Sequence, residues 1–385
     1  MLLAQKGYRV LLLDRAHFPS DMMSTLVIWH PGVAQLKKWG FLKWVQDSGC
    51  PPLRLVRFDV GDFAITGSPP PLGDVADAFA PRRTVLDKIL VDAAVEAGAE
   101  FRESFSVQEI IFDGSKVTGI RGRGKNGAAV AEAAQIVVGA DGPNSLVART
   151  VNSPTYNEKP ATACYYYSFW SGVPLLIEGQ ELYPREGRII GAWPTNGGLT
   201  LIVVGWRREE FTNFRENVER NFLETLRQFA PGLAGRVEKG NREERFVGTA
   251  GIPNFFRKPY GPGWALVGDA GYHKDPVTAQ GISDAFQHAE LLAEAIDDDL
   301  SKRKSHQVAF GDYEQRRNDD VIHRYELTCD LATLAAPPPE MLKLFDALRH
   351  NQREADRYFG AVFGTLPIPE FFSAENLQRI IRAGQ

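Results

Sequence analysis

The stretch with the most groups able to act on a ligand is residues 268–283, which read GDAGYHKDPVTAQGIS. Asp269 stands just after Trp264-Ala265-Leu266-Val267, an apolar run whose length and composition predict a buried strand. Beyond the stretch, Ile282, Ala285, Phe286, Ala289, Leu292, Ala293 and Ile296 recur at helical spacing. The order is therefore a strand, a loop carrying Pro276, and a helix opening near 279–281. The first turn of a helix offers unpaired N–H groups and the positive end of its dipole. Gly281 lets a ligand approach that backbone closely. Such a site suits an anion or a polarised carbonyl, and Asp269 can accept hydrogen bonds from ligand hydroxyls.

Further candidates lie upstream. Tyr8 to Leu13 is leucine-rich and predicts a strand ending in Asp14-Arg15. An acid at the end of the second strand of a dinucleotide-binding βαβ unit takes ribose hydroxyls; taken alone, the pair is equally a strand-end charge pair. Arg82-Arg83-Thr84-Val85-Leu86-Asp87 opens a helix that Gly98 stops. Ile136 to Ala140 predicts a buried strand running into Asp141-Gly142-Pro143-Asn144-Ser145, with Arg149 beyond. Phe101 to Gln135 has short strands with turns at Asp113-Gly114 and Lys125-Asn126-Gly127.

Together these motifs resemble the FAD-dependent monooxygenases related to para-hydroxybenzoate hydroxylase. Gly268, Asp269, Ala270, Pro276 and Gly281 match that family's GD motif without a gap. Asp141, Gly142, Ser145 and Arg149 match its Asp-Gly-x-x-Ser signature, and Arg83 its Arg-x-x-Leu-Asp helix start. The resemblance implies cofactor contacts at Asp14, Arg15, Arg83, Asp141, Gly142, Gly268, Asp269, Pro276, Gly281 and Ile282. Ser24 and Thr25, in the polar loop after the second strand, become possible flavin-side groups. The family's Gly-x-Gly-x-x-Gly turn would lie about 20 residues before the acid, whereas Asp14 has thirteen residues ahead of it. The expectation is a start assigned too late. This chain would then hold FAD weakly until about fifteen upstream residues, one strand and its turn, are supplied.

The implied fold is α/β: a doubly wound, Rossmann-like FAD-binding domain with an inserted antiparallel substrate lobe and a helical C-terminus. Residues 1–150 and 251–300 would form the FAD-binding domain, with 53–81 joining the substrate lobe of 151–250. Residues 301–385 would form a helical region. Tyr165, Tyr167 and Phe169 alternate with Tyr166, Ser168 and Trp170, predicting one buried face and one that lines a cavity. The implied cofactors are FAD and NAD(P)H, the latter a transient reductant. The implied reaction is monooxygenation of a small apolar or aromatic molecule with O2, through a flavin C4a-hydroperoxide. A flavin reductase of the geranylgeranyl type and a flavin halogenase share both signatures. Outside enzymes, a remnant that binds a ligand or partner without FAD stays open.

Composition narrows the classes. A net charge of −4 and a pI near 6.0 give no nucleic-acid footprint. Cys50, Cys164 and Cys329 are far apart and lack metal-ligand spacing. So sparse a set suits a reducing cytoplasm. No apolar run approaches the ~20 residues that cross a bilayer, so no integral membrane segment is expected.

Overall fold

A computed structural model describes residues 1–384. Leu11–Leu13 pairs in parallel with Glu100–Arg102, and Val137–Gly139 in parallel with Trp264–Leu266. Parallel neighbours need a crossover. Between Leu11–Leu13 and Glu100–Arg102 the chain passes through the helix Arg83–Glu96, which gives way to Gly98 at φ 95°. The two pairs are not hydrogen-bonded to each other. Among the described residues, Leu11–Leu13 and Val137–Gly139 each keep one unpaired edge. The expected buried strand over 136–140 is corrected accordingly: Val138 is 37% exposed, because no strand covers its outer edge. Trp264–Leu266 is buried throughout, as its composition predicts. The strands Ser106–Asp113, Lys116–Arg123 and Ala129–Ala133 form the expected meander.

The second sheet is largely antiparallel. Ala163–Ser171, Thr200–Arg207, Arg188–Pro194 and Gly179–Arg185 lie side by side in that order. Leu55–Asp59 then pairs in parallel with Gly179–Arg185 and brings its hairpin partner Ala64–Gly67. Ala163–Ser171 has one packed face and one that lines a cavity, as its alternation predicts. Tyr166 and Trp170 pack under Phe214 and Phe222 of the covering helices Phe211–Arg215 and Val218–Phe229. Tyr165 and Tyr167 point the other way, into a cavity. Gly179–Arg185 had no strand signature because it carries Glu181. That carboxylate is wholly buried and held by Arg236 Nη2 at 2.6 Å.

The C-terminal region is helical: His306–Leu331, Pro339–Leu348, Gln352–Phe363, Ile368–Phe371 and Ala374–Ala383. Leu344, Phe345, Tyr358, Phe359 and Phe363 share one core with Val56, Ile65, Tyr167 and Trp193 of the second sheet. These helices thus close the cavity side of that sheet. No helix among the described residues is long and apolar enough to cross a membrane.

Candidate active site and cofactor cleft

The segment from Gly268 to the helix Gly281–Leu300 is folded tightly. Gly268–Ala270 and Pro276–Thr278 are single 3-10 turns. Ala279 then adopts a left-handed φ of 53°, a conformation that costs a non-glycine residue energy unless its surroundings impose it. Three bonds impose it here. Trp29 Nε1 donates to Thr278 O at 3.0 Å, Gln280 Nε2 to Val362 O at 2.8 Å, and the Thr278 and Thr328 hydroxyls meet at 2.9 Å. Gln280, at the helix N-cap, makes no side-chain cap bond. The first-turn N–H groups are therefore left for a ligand. A Cβ on Gly281 would meet nothing within 4 Å, so the approach is open.

Asp269 lies beside that helix start, in a cleft lined by Gly268, Tyr272, Lys274, Gly281 and Asp284. Its side chain is 49% exposed to the cleft, yet protein encloses it closely enough that burial raises its carboxyl above the ordinary value. His273 and Arg83 pull in the opposite direction. Arg83 Nε donates to Asp87 Oδ1 at 2.8 Å, and Asp87 in turn feels Asp14. Asp14, Arg83 and Asp269 therefore share one electrostatic neighbourhood. Asp14 Oδ1 accepts from Ala16 N at 2.7 Å, while Arg15 is exposed.

Asp141 Oδ2 accepts from Leu146 N at 2.6 Å, and Gly142 has a left-handed φ of 77°. This loop and the Gly268–Ala270 turn are joined by Arg257, which sequence reasoning missed. Its Nη1 donates to Ala270 O at 2.9 Å and its Nη2 to Pro143 O at 3.0 Å. Ile282 is turned inward, against the cluster that holds Phe286.

Beneath the cleft is a buried ion cluster. Lys274 Nζ lies 2.5 Å from Asp284 Oδ2, both side chains being 4% exposed. Arg324 Nη2 lies 3.4 Å from Asp284 Oδ1 and 2.6 Å from Asp320 Oδ2. Burial alone would raise Asp284, but Lys274 and Arg324 hold it below the ordinary carboxylate value. His288 beside it is neutral, drawn down to about 3 by burial.

On the far side of Pro276–Thr278 is a cavity of about 110 Å³. Its floor is one face of the second sheet, read at alternate positions: Tyr165 and Tyr167, Gln180 and Leu182, Ile189, Gly191 and Trp193, and Val203. Two glycines make that floor. A Cβ on Gly191 would lie 2.6 Å from the Trp193 ring, and one on Gly205 2.6 Å from the Tyr165 ring. The roof is Trp29, Pro276 to Ala279, and Phe363, whose ring stacks on Trp29 at 3.8 Å. Ser24 and Thr25 line this cavity. Phe363 comes from a tail that carried no chemical signal.

One acid stands just behind the cavity lining, bonded to Tyr165. Tyr165 Oη donates to Asp275 Oδ1 at 2.5 Å, and Val277 N donates to the same oxygen at 3.0 Å. Asp275 is 1% exposed and its Oδ2 has no partner among the described residues. Burial pushes its carboxyl up to about 7, against the downward pull of the Tyr165 and Val277 bonds. Burial likewise raises Tyr165 well above the ordinary phenol value.

The uncapped helix, the open Gly281 position and the half-open Asp269 fit a bound FAD, the first two serving a polarised carbonyl and the last a hydroxyl chain. Residues 1–321 match the family described as FAD binding domain. The chain belongs to that family. The expected FAD-binding family accordingly holds. Digeranylgeranylglycerophospholipid reductase 1 of Methanopyrus kandleri is 28% identical over 239 residues, covering 58% of this chain and 60% of that protein. The chain thus matches less than two thirds of that relative's length. Two solved structures share the FAD-binding fold. The myxobacterial chondrochloren halogenase CndH has a TM-score of 0.78 at 20% identity, covering 100% of this chain and 92% of that one. PqsL, a probable FAD-dependent monooxygenase from Pseudomonas aeruginosa, has 0.70 at 18%, covering 94% of each.

If Asp269 holds the cofactor, Asp269→Ala will weaken FAD binding by about ten- to a hundred-fold. That is the equivalent of the roughly 1.5–3 kcal/mol in a hydrogen bond to a charged group. Flavin fluorescence titration measures it, with circular dichroism as the fold control. Unchanged affinity would reduce Asp269 to a strand-end charge.

Proposed function

We propose that this FAD-dependent oxidoreductase is a reductase, adding hydrogen across a carbon–carbon double bond of a small apolar molecule held on the sheet floor. One observation supports this most directly: Tyr165, on the floor of a largely apolar cavity, is bonded to the buried Asp275 behind it. The relative from Methanopyrus kandleri, itself named a reductase, agrees. FAD would be held by Asp14, Arg83, Asp141, Gly142, Gly268, Asp269 and the helix start at Gly281, with Arg15, Pro276 and Ile282 flanking it. When bound and reduced, FAD supplies a hydride to one carbon, and NAD(P)H is the proposed source of those electrons.

The second carbon must then take a proton, and that is the chain's own task. Tyr165 lines the cavity and gives its phenolic proton to the substrate. Asp275, neutral below about 7, would carry its proton on the unpartnered Oδ2 and turn to pass it to the phenolate. The π bond breaks, two C–H bonds form, and the protein ends one proton short until solvent returns it. A buried acid with this value keeps its proton close to neutral pH. The largely apolar lining disfavours water beside that carbon.

The test is product labelling. Turnover in D2O should place one deuterium in the product at the carbon facing Tyr165, with no oxygen from labelled O2. The rate of reduction should fall as pH rises through about 7, and Asp275→Asn should abolish that limb. Labelled oxygen in the product would overturn the reductase. It would move the assignment to monooxygenation of an apolar or aromatic substrate, a reading favoured by the uncapped helix start at Gly281, whose positive end suits anionic reduced flavin.

A further inference from the structure

We infer that Gly191 decides how large a molecule the cavity admits, because it lets the Trp193 ring sink into the floor. The substrate is thereby held to a single ring beside the reacting double bond. This rests on the reductase proposed above, whose substrate site is the same cavity.

Gly191 lies at the centre of the floor. Along its own strand, Ile189 and Trp193 stand on the same face, two residues to either side. Across the sheet it pairs with Leu182 on one side and Val203 on the other. These four side chains line the cavity, and so does Gly191 itself. The intervening Ile190 and Ala192 face the opposite way, into the core under the covering helices. A side chain at 191 would therefore rise into the cavity from the middle of its floor.

A glycine inside a strand costs stability. Its backbone does not call for one here, since Gly191 has no positive φ. The neighbouring ring does. A Cβ at 191 would lie 2.6 Å from Trp193 Cζ3, 3.2 Å from Val203 Cγ1 and 3.3 Å from Leu182 Cδ2. The first distance is well inside the ~3.5–4.0 Å at which carbons rest against each other. A corner of the indole thus fills the space that a side chain would take. Trp193 is 3% exposed and belongs to the core shared with the C-terminal helices. The open side for a displaced ring is the cavity. Its volume of about 110 Å³ is of the order that holds one ring, since an apolar cavity of about 150 Å³ takes benzene. Little is left to lose.

The experiment separates binding from turnover. Calorimetric titration of the purified 385-residue chain would compare styrene with 2-vinylnaphthalene, which carries the same vinyl group on two fused rings. Styrene should bind about tenfold tighter or more, a step of the size apolar pockets make between molecules that fit and those that do not. Gly191→Ala should weaken styrene about tenfold. Trp193→Phe, which shortens the ring over Gly191, should cancel the preference, and adding Gly191→Ala to it should cost little. Two residues competing for one space are non-additive in this way, whereas a merely weakened strand is not. Circular dichroism checks the fold, and the Trp193→Phe arm decides the matter where Gly191→Ala does not fold. Failure of styrene to bind the unmodified protein, equal affinities there, or a preference that survives Trp193→Phe would overturn the inference. The expected pattern without any reduction of styrene would uphold Gly191 and count against the reductase instead. Reduction of both probes with no size preference would do the reverse.

Discussion

Replacing Asp284 by alanine will destabilise the fold by about 3–5 kcal/mol, the usual size when one partner of a buried ion pair is removed. Asp284 answers two cations, Lys274 at 2.5 Å and Arg324 at 3.4 Å. Without it Lys274 is left in a site where it is 4% exposed, and Asp320 already serves Arg324. Against a total stability of about 5–15 kcal/mol for a typical domain, that loss moves a urea midpoint far enough to read directly. Removing both charges in Lys274→Met/Asp284→Leu should recover most of it, since apolar groups of similar volume replace buried pairs at little cost. A loss below about 1 kcal/mol in Asp284→Ala would mean that Lys274 sheds its proton instead of standing charged.

The second large effect has the opposite sign. Asp275→Asn will stabilise the protein, and more so as pH rises. The folded carboxyl titrates at about 7, against about 3.9 in an unfolded chain. Between those values the folded state binds the extra proton, so stability falls with rising pH. The wild-type penalty is small below about pH 4 and reaches about 4 kcal/mol above pH 7, three units at 1.36 each. The variant carries none of it. The stability difference between variant and wild type should therefore widen by about 2–3 kcal/mol from pH 5 to pH 8. A difference that stays flat over that range would show that Asp275 does not titrate there. Keeping such an acid against stability is the pattern expected where a buried group serves chemistry.

Local order was legible in the residues themselves. The run 264–267, the acid after it and the stripe from Ile282 onward are contiguous, and each signal depends only on near neighbours. The helix of Arg83–Glu96 and the turns at Gly114 and Gly127 were legible for the same reason. What stayed hidden is what distant segments do to one another. Arg257 looks like a strand-edge charge until Ala270 and Pro143 are seen on either side of it. Lys274 reads as a surface lysine in a polar loop, and only the fold turns it onto Asp284. The cavity floor draws eight residues from four strands, so no window contains it. Gln180 was hidden twice over, since the strand that carries it was masked by the buried Glu181. The raised pKa of Asp275 runs against its one local contact, the bond from Val277 N. It comes from burial, which no sequence window displays.

In a preparation of these 385 residues, the edges of Leu11–Leu13 and Val137–Gly139 that lack a partner among the described residues also bear on how molecules behave in company. A row of free N–H and C=O groups on a leucine or valine strand is a template for any extended chain that meets it. Thermal midpoints report none of this, because the edges are open while everything else is folded. Shelf life at high concentration would then follow how often two molecules collide edge to edge, a second-order loss that dilution slows and added core packing does not.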